Sequence, residues 1–186
     1  MATQQNVHTH LQNATAPWSS LLVVPPGTTA AALVKPPAGF VLRQIHGKKC
    51  ATPVGVFNEF ARALDFPDYF GHNWDALEEC LADLEWLPAK GYVLLVTDAH
   101  CVIPDEEEEY ETLLEVLSDA GEAWSKGQTA DGRRAPFHVF FAVSQQDKSK
   151  RKHWGLKELP LTEAGNAVAK ARTTRSGNSS KGKKRG

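Results

Sequence analysis

The sequence has few cysteines, and their spacing argues against the usual cysteine sites. Its 186 residues contain three, Cys50, Cys80 and Cys101, an odd number that forms no CxxC pair. Structural zinc sites and redox motifs use closely paired cysteines. An apolar share of 41% supplies a core without a disulfide framework. We therefore expect reduced thiols in a reducing compartment, no metal site and no cofactor.

The sequence also lacks a long uninterrupted apolar segment. The apolar run at 21–34 is broken by Pro25, Pro26 and Gly27 and is too short to cross a bilayer. The first residues, MATQQNVHTHLQNATAPW, have neither a basic region nor the apolar stretch of a signal peptide. We expect a cytoplasmic protein with no membrane partner.

A net charge of −1 hides two regions of opposite sign. Residues 147–186 carry 12 Lys and Arg against 3 Asp and Glu, which leaves 9 basic and 19 acidic side chains in residues 1–146. An acidic domain favours basic partners and repels nucleic acid, whereas the basic tail allows a weak RNA contact. We predict a disordered segment at 1–17, one domain at 18–146, and a basic, largely disordered tail at 147–186.

The apolar pattern of residues 18–146 predicts a small α/β domain. Strands are expected at 40–45, 91–96 and 137–143, with a short edge strand at 18–26. Helical spacing of apolar residues predicts two helices between the first two of these strands and a third helix before the last. The order β-α-α-β-α-β implies a parallel sheet of three or four strands packed by helices.

One helix start gathers negative charge that is unfavourable for the helix itself. In FPDYFGHNWDALEECL, residues 66–81, Asn73 is the predicted N-cap, and Glu79 lies one turn from both Asp75 and Asp83. Like charges at that spacing cost roughly 0.2–0.5 kcal/mol per pair. The helix dipole favours Asp75 in the first turn but offers nothing to Glu79 or Asp83. A solvated helix face and a binding surface both remain open on charge alone.

The run PDYFGHNWDALEECL resembles the signature of the barstar family, the intracellular inhibitors of the secreted ribonuclease barnase. Residues 67–71, 73–77 and 79–81 occupy the family's positions, and the order of strands and helices agrees over roughly 40–144. The resemblance implies the barstar fold, a basic ribonuclease as partner, and no catalysis.

The resemblance also implies roles for individual residues. Asp75 and Glu79 match the carboxylates that enter the ribonuclease active site, and Tyr69, Gly71 and Asn73 match loop residues that contact the enzyme. Asp119 is the candidate for a further acid from the third helix. The candidate partner-binding set is Tyr69, Gly71, His72, Asn73, Trp74, Asp75, Glu78, Glu79, Asp83 and Asp119.

This sequence departs from the family pattern at positions that bear on partner choice. Glu79 replaces an aspartate, Glu78 replaces a tryptophan and His72 replaces an acid, which indicates a different partner. The alternative is a non-inhibitory barstar-fold module that binds another basic protein, or RNA through the tail. A Cys80–His72 nucleophile and base is less favoured than a buried thiol. His8 and His10 are expected in a disordered segment rather than at a metal.

Overall fold

The computed structural model describes residues 7–161, which fold around a five-stranded parallel sheet. The strands are β1 (Ser19–Val24), β2 (Phe40–His46), β3 (Gly91–Thr97), β4 (Phe137–Ser144) and β5 (Lys157–Glu158). Their order across the sheet is β2-β3-β4-β1-β5, and every neighbouring pair is parallel. The α/β prediction is confirmed, with five strands instead of three or four.

The central strands are apolar on both sides because both faces of the sheet are covered. In β3, Leu94 and Val96 point to one face, while Val93 and Leu95 belong to a separate apolar cluster on the other. Continuous apolar runs are typical of parallel strands buried in this way. β1, predicted as an edge strand, instead lies between β4 and β5.

Three helices cover the first face, and these are the helices that the apolar spacing predicts. They are α3 (Pro53–Leu64), α4 (Trp74–Asp83) and α5 (Glu107–Lys126). Thr52 caps α3 by accepting a hydrogen bond from the Gly55 N–H at 3.2 Å, directly before Pro53. Side chains from all three helices join the core on this face, among them Phe60, Leu81 and Trp124.

Two short helices cover the second face. The first of them lies within residues 1–17, which the sequence predicted to be disordered. They are α1 (Val7–Leu11) and α2 (Ala30–Leu33). Val7 and Leu11 are buried against Leu22, Val93 and Phe140 of the sheet. A five-residue helix has no stability of its own, so burial against the sheet, which local composition does not reveal, orders residues 7–17. Residues 1–6 lie outside the described part.

The crossovers on the two faces have the same hand. The chain moves from β1 to the far edge through α2 on the second face, and returns through β3 and β4 with its helices on the first face. The β1–β2 connection runs across the sheet in the opposite direction to the β2–β3 and β3–β4 connections, and it also lies on the opposite face. The two reversals cancel, so all three crossovers have the same hand, as parallel connections require.

The domain also extends beyond residue 146, which differs from the predicted boundary. β5 pairs with β1, and Leu159 N–H donates to the Leu21 carbonyl at 3.0 Å. The Arg151 guanidinium is buried 3.7 Å from the Tyr110 ring centroid, and it donates to the carbonyl oxygens of Val102 and Ile103. Packing of these side chains orders residues 147–161. The rest of the predicted tail lies outside the described residues.

A buried carboxylate connects α3 to the end of β2. Glu59 is 3% exposed, and it accepts hydrogen bonds from the His46 N–H at 3.0 Å and from Arg62 Nε at 2.9 Å. Its Oε1 lies 2.6 Å from His46 Nδ1. Burial alone would raise the pKa of Glu59, but the hydrogen bonds from Arg62 and His46 lower it to about 2. The ionised carboxylate therefore contributes to stability.

Replacing Glu59 by glutamine should lower the free energy of unfolding by about 2–3 kcal/mol at pH 7. Because the folded-state pKa lies below the ordinary 4.5, this contribution is full above pH 4.5 and is lost as the pH falls towards 2. Urea unfolding of wild type and variant from pH 7 to pH 3 checks both expectations. Glu115→Gln, at an exposed position of α5, is the control. An equal loss in both variants, or a gap that does not narrow in acid, would contradict the assignment.

Candidate functional site

The loop before α4 presents an exposed aromatic ring beside a buried one. The Phe70 N–H donates to the Pro67 carbonyl at 3.0 Å, and the buried Phe70 ring packs 4.9 Å from Phe66 between ring centroids. The adjacent Tyr69 is 72% exposed and, with Val54, is one of the two large exposed apolar side chains of the described residues. The buried ring therefore fixes the loop that carries the exposed one.

The sharp entry into α4 is made at His72 and not at the neighbouring Gly71. His72 has a φ of 51°, whereas the φ of Gly71 is not in the left-handed region. His72 Nδ1 lies 2.9 Å from the Phe70 carbonyl, and its ring lies 4.6 Å from the Phe70 ring, which hold this conformation. At Gly71 the constraint is space, since a Cβ there would approach Asn73 Nδ2 to 3.2 Å.

Asn73 begins α4 as an N-cap, as the sequence predicts. Its side-chain oxygen accepts a hydrogen bond from the Ala76 N–H at 2.8 Å. Asp75 follows in the first turn, where the helix dipole favours an acid. Leu77, Cys80 and Leu81 face the core, so Asp75, Glu78 and Glu79 remain on the exposed side.

The acids of α4 meet those of α5 in one open groove. This acidic groove has a volume of about 510 Å³. It is lined by Asp75, Glu78, Glu79 and Ala82 of α4, by Asp119, Glu122, Ala123 and Lys126 of α5, and by Gln128. The structure thus places Asp119 together with three acids of the candidate set. Glu122, which the sequence analysis missed, lies one turn beyond Asp119.

Most carboxylates of the acidic groove have no counter-ion within the described chain. No ion pair among residues 7–161 involves Asp75, Glu78, Glu79 or Asp119, and all four are exposed. The exception is Glu122, which pairs with Lys126. The groove therefore presents uncompensated negative charge to solvent.

Two other members of the candidate set are held by their own domain. Trp74 is half-buried, packs 4.8 Å from Phe57 between ring centroids and donates from Nε1 to Glu109 at 2.8 Å. Asp83 is also half-buried and accepts a hydrogen bond from the Glu85 N–H at 3.3 Å. Asp83 lines a smaller cleft of about 110 Å³ with Tyr69 and Glu79. The contacts of Trp74 are therefore with its own domain, and they hold α4 in place beneath the exposed acids.

The chemistry at Cys80 is that of a buried thiol. Cys80 is 4% exposed, and burial raises the pKa of its Sγ, which disfavours the nucleophilic thiolate. The His72 ring is engaged with Phe70 through Nδ1. These contacts favour packing over a nucleophile and base.

Three of the five basic side chains in the described part of the tail have contacts within the domain. Lys148 pairs with Glu158 at 2.6 Å, Lys150 pairs with Asp147 at 2.6 Å, and Arg151 is buried. Arg151 is therefore not accessible to RNA phosphate, whereas the two lysines form surface ion pairs. Lys152 and Lys157 are exposed. The other seven basic residues of the predicted RNA contact lie outside the described residues. In residues 7–161 no helix has the length and apolar character to cross a membrane.

Comparison with known families identifies one match. A family model described as Barstar (barnase inhibitor) matches residues 40–142, from the first residue of β2 to near the end of β4. The match includes the loop, α4, α5 and the whole acidic groove. A comparison with individual curated proteins found no match.

Replacing Glu79 by glutamine should raise the free energy of unfolding by about 0.5 kcal/mol at low ionic strength. The change removes repulsion with Asp75 and Asp83, each worth about 0.2–0.5 kcal/mol. Glu122→Gln, in the same groove, removes the attraction to Lys126 and should lower stability by a similar amount. Chemical unfolding at 10 mM and 500 mM salt checks this, since both effects should shrink with salt. Destabilisation by Glu79→Gln would show that its carboxylate has a structural partner.

Proposed function

This chain belongs to the barstar family, and we propose that it inhibits a ribonuclease. The acids that line the acidic groove, together with the loop before α4, occupy the enzyme's cationic RNA-binding site. The observation that carries the proposal is the set of four exposed, unpaired carboxylates on two helices that face one groove. A helix pair selected for stability alone would alternate these acids with lysine or arginine. The acidic groove keeps them uncompensated.

The carboxylates act as substitutes for RNA phosphates. Ionised carboxylates accept short, charge-assisted hydrogen bonds from arginine and lysine, the groups with which proteins hold phosphate. An empty cationic active site repels itself in the same way as the acidic groove, so association relieves both surfaces. The inhibitor performs no reaction and needs no cofactor, because its effect is to occupy the site.

Tyr69 supplies the apolar part of the contact. Interface hot spots combine an aromatic anchor with charged surroundings that exclude water. Tyr69 is exposed, and it lines the 110 Å³ cleft with Glu79 and Asp83, and Glu79 also lines the acidic groove. His72, Gly71 and Asn73 present the same loop to the partner, with Gly71 allowing close approach of the backbone.

The sequence differences at this surface bear on which ribonuclease is bound. Glu79 reaches one methylene further than the aspartate of the family pattern, and Glu78 adds a charge where the pattern has an aromatic ring. Both side chains line the acidic groove. Partner choice follows from such local differences in charge and reach, so the ribonuclease should carry a wider or more strongly cationic site than barnase.

Asp75→Asn combined with Glu79→Gln should weaken binding to the inhibited ribonuclease by at least about 30-fold, the effect of one hot-spot contact. Asp105→Asn with Glu106→Gln removes the same charge from exposed positions before α5 and should change Kd far less. Kd and inhibition of RNA cleavage are measured for barnase and a panel of basic ribonucleases. Equal Kd for the groove variant and wild type would contradict the proposed contact, and failure of wild type to inhibit any enzyme would favour another basic protein as partner.

Tyr69→Ala should leave the free energy of unfolding within about 0.5 kcal/mol of wild type, since exposed positions contribute little, and should weaken ribonuclease binding about tenfold or more. Val54→Ala is the matched control, because Val54 is 64% exposed and outside the site. Calorimetric binding and thermal unfolding separate the two effects. Equal affinities of the Tyr69 and Val54 variants would remove Tyr69 from the interface.

A further inference from the structure

Two buried histidines face each other between the N-terminal segment and the second face of the sheet. His10 lies on α1 and His138 on β4, and both are fully buried. Their ring centroids are 4.4 Å apart, with the planes tilted by 47°. Neither residue belongs to the proposed ribonuclease surface, which lies on the helices of the opposite face.

Hydrogen bonds determine which nitrogen of each ring carries the proton. His10 Nε2 lies 2.9 Å from the Pro17 carbonyl, and His138 Nε2 lies 2.8 Å from the Asn13 carbonyl. A carbonyl oxygen only accepts, so Nε2 donates in both rings, and the neutral ring keeps an unprotonated Nδ1. Within residues 7–161 neither Nδ1 has a hydrogen-bond partner. The His10–Pro17 bond lies within the N-terminal segment, and the His138–Asn13 bond joins that segment to β4.

The surroundings of the pair disfavour positive charge. The Phe140 ring lies 6.3 Å from His10 and 6.4 Å from His138, and the Trp18 ring lies 6.4 Å from His138. Lys157 of β5 is the charged side chain that acts on His10, and its sign is unfavourable. On α1 the other titratable group, His8, is exposed and contacts Gln12, and the neighbours on α2, β1 and β3 are uncharged. No carboxylate among these groups compensates a protonated ring.

Burial lowers the pKa of both imidazoles. For His138 the value falls to about 4, with burial as the main cause and His10 as the second. For His10 burial again has the largest effect, opposed by the bond to Pro17. In an opened segment each ring would titrate near its ordinary 6.5.

We propose that the His10–His138 pair is a proton-operated latch that holds residues 7–17 against the sheet at neutral pH and releases them in mild acid. A proton on either Nδ1 introduces a charge that has no acceptor, and a second proton places two positive rings 4.4 Å apart. Release exchanges these penalties for hydration. It also uncovers the apolar surface that Val7 and Leu11 bury on Leu22, Val93 and Phe140.

The direction of the pH effect follows from the two protonation states. The closed state prefers neutral rings, so its advantage is constant above about pH 6.5 and is lost as the pH falls from there towards 4. Each histidine contributes up to about a tenfold change in the opening equilibrium per pH unit in that window. The inference does not depend on the proposed ribonuclease contact.

Hydrogen exchange of the full chain at pH 7.0 and pH 5.0 tests the latch. After correction for intrinsic exchange rates, protection of residues 7–17 should fall at least about tenfold at pH 5.0, while β3 stays protected. The double variant His10→Gln/His138→Gln keeps a side-chain N–H donor at each position, and its protection should not change with pH. His8→Gln, an exposed histidine of the same helix, should behave as wild type.

Several results would overturn the proposal. These are unchanged protection of wild type at pH 5.0, equal loss in β3, or a full pH response in the double glutamine variant. If that variant is already open at pH 7.0, NMR titration of the wild-type imidazoles decides. The proposal then requires both rings to be neutral Nε2–H tautomers at pH 7 and to gain protons together with the loss of protection. A ring that titrates near pH 6.5 while the segment stays protected would exclude the latch.

Discussion

The position of α4 against α5 depends on one buried indole, Trp124. Its ring packs 4.8 Å from that of Tyr92 on β3, and its Nε1 donates to the Leu81 carbonyl near the end of α4 at 2.8 Å. One fully buried side chain therefore ties α5 to the sheet and α4 to α5. A buried aromatic residue contributes about 3–5 kcal/mol when compared with alanine, far more than the repulsion among the surface acids. This contact helps to hold α4 and α5 at the distance that forms the acidic groove.

This imbalance explains how the surface can keep its charges unpaired. Each acidic pair on α4 costs a few tenths of a kcal/mol, whereas the Trp74, Leu77 and Leu81 packing below it contributes several times that amount. The Trp74–Glu109 hydrogen bond at the other end of α4 adds a second tie to α5. Carboxylates held in place before association lose little freedom on binding, so more of their attraction for a cationic partner appears as affinity.

The sequence predicted those parts whose signal is local and regular. Strands β3 and β4, the N-cap Asn73, and the apolar stripes of α3, α4 and α5 depend on periodicity and on side chains within one turn. Helix α1 and residues 147–161 were missed because their order comes from distant partners: Leu11 from Phe140, and Arg151 from Tyr110. The turn at His72 has no local signal, because glycine is the residue that usually takes positive φ, whereas here the Phe70 carbonyl and ring hold His72 in that conformation. Asp119 could be suggested only through the family resemblance, since its place in the groove depends on helix packing.

The residues that match the family model, 40–142, do not include strands β1 and β5 of the sheet. The segments on either side of the match therefore have a structural role. β1 precedes residue 40, yet it pairs along its whole length with β4, from Ser19–Val139 to Val24–Ser144. Without β1, β4 would become an exposed edge of apolar strand, the arrangement that leads to aggregation. Adding β1 creates a wider second face, and a wider apolar face must itself be covered. Helix α1, helix α2 and Leu159 supply that cover, so the N-terminal segment and the β5 region follow from the same requirement. The two histidines lie within this added layer, where a change in protonation alters the cover and leaves the helices of the acidic groove in place.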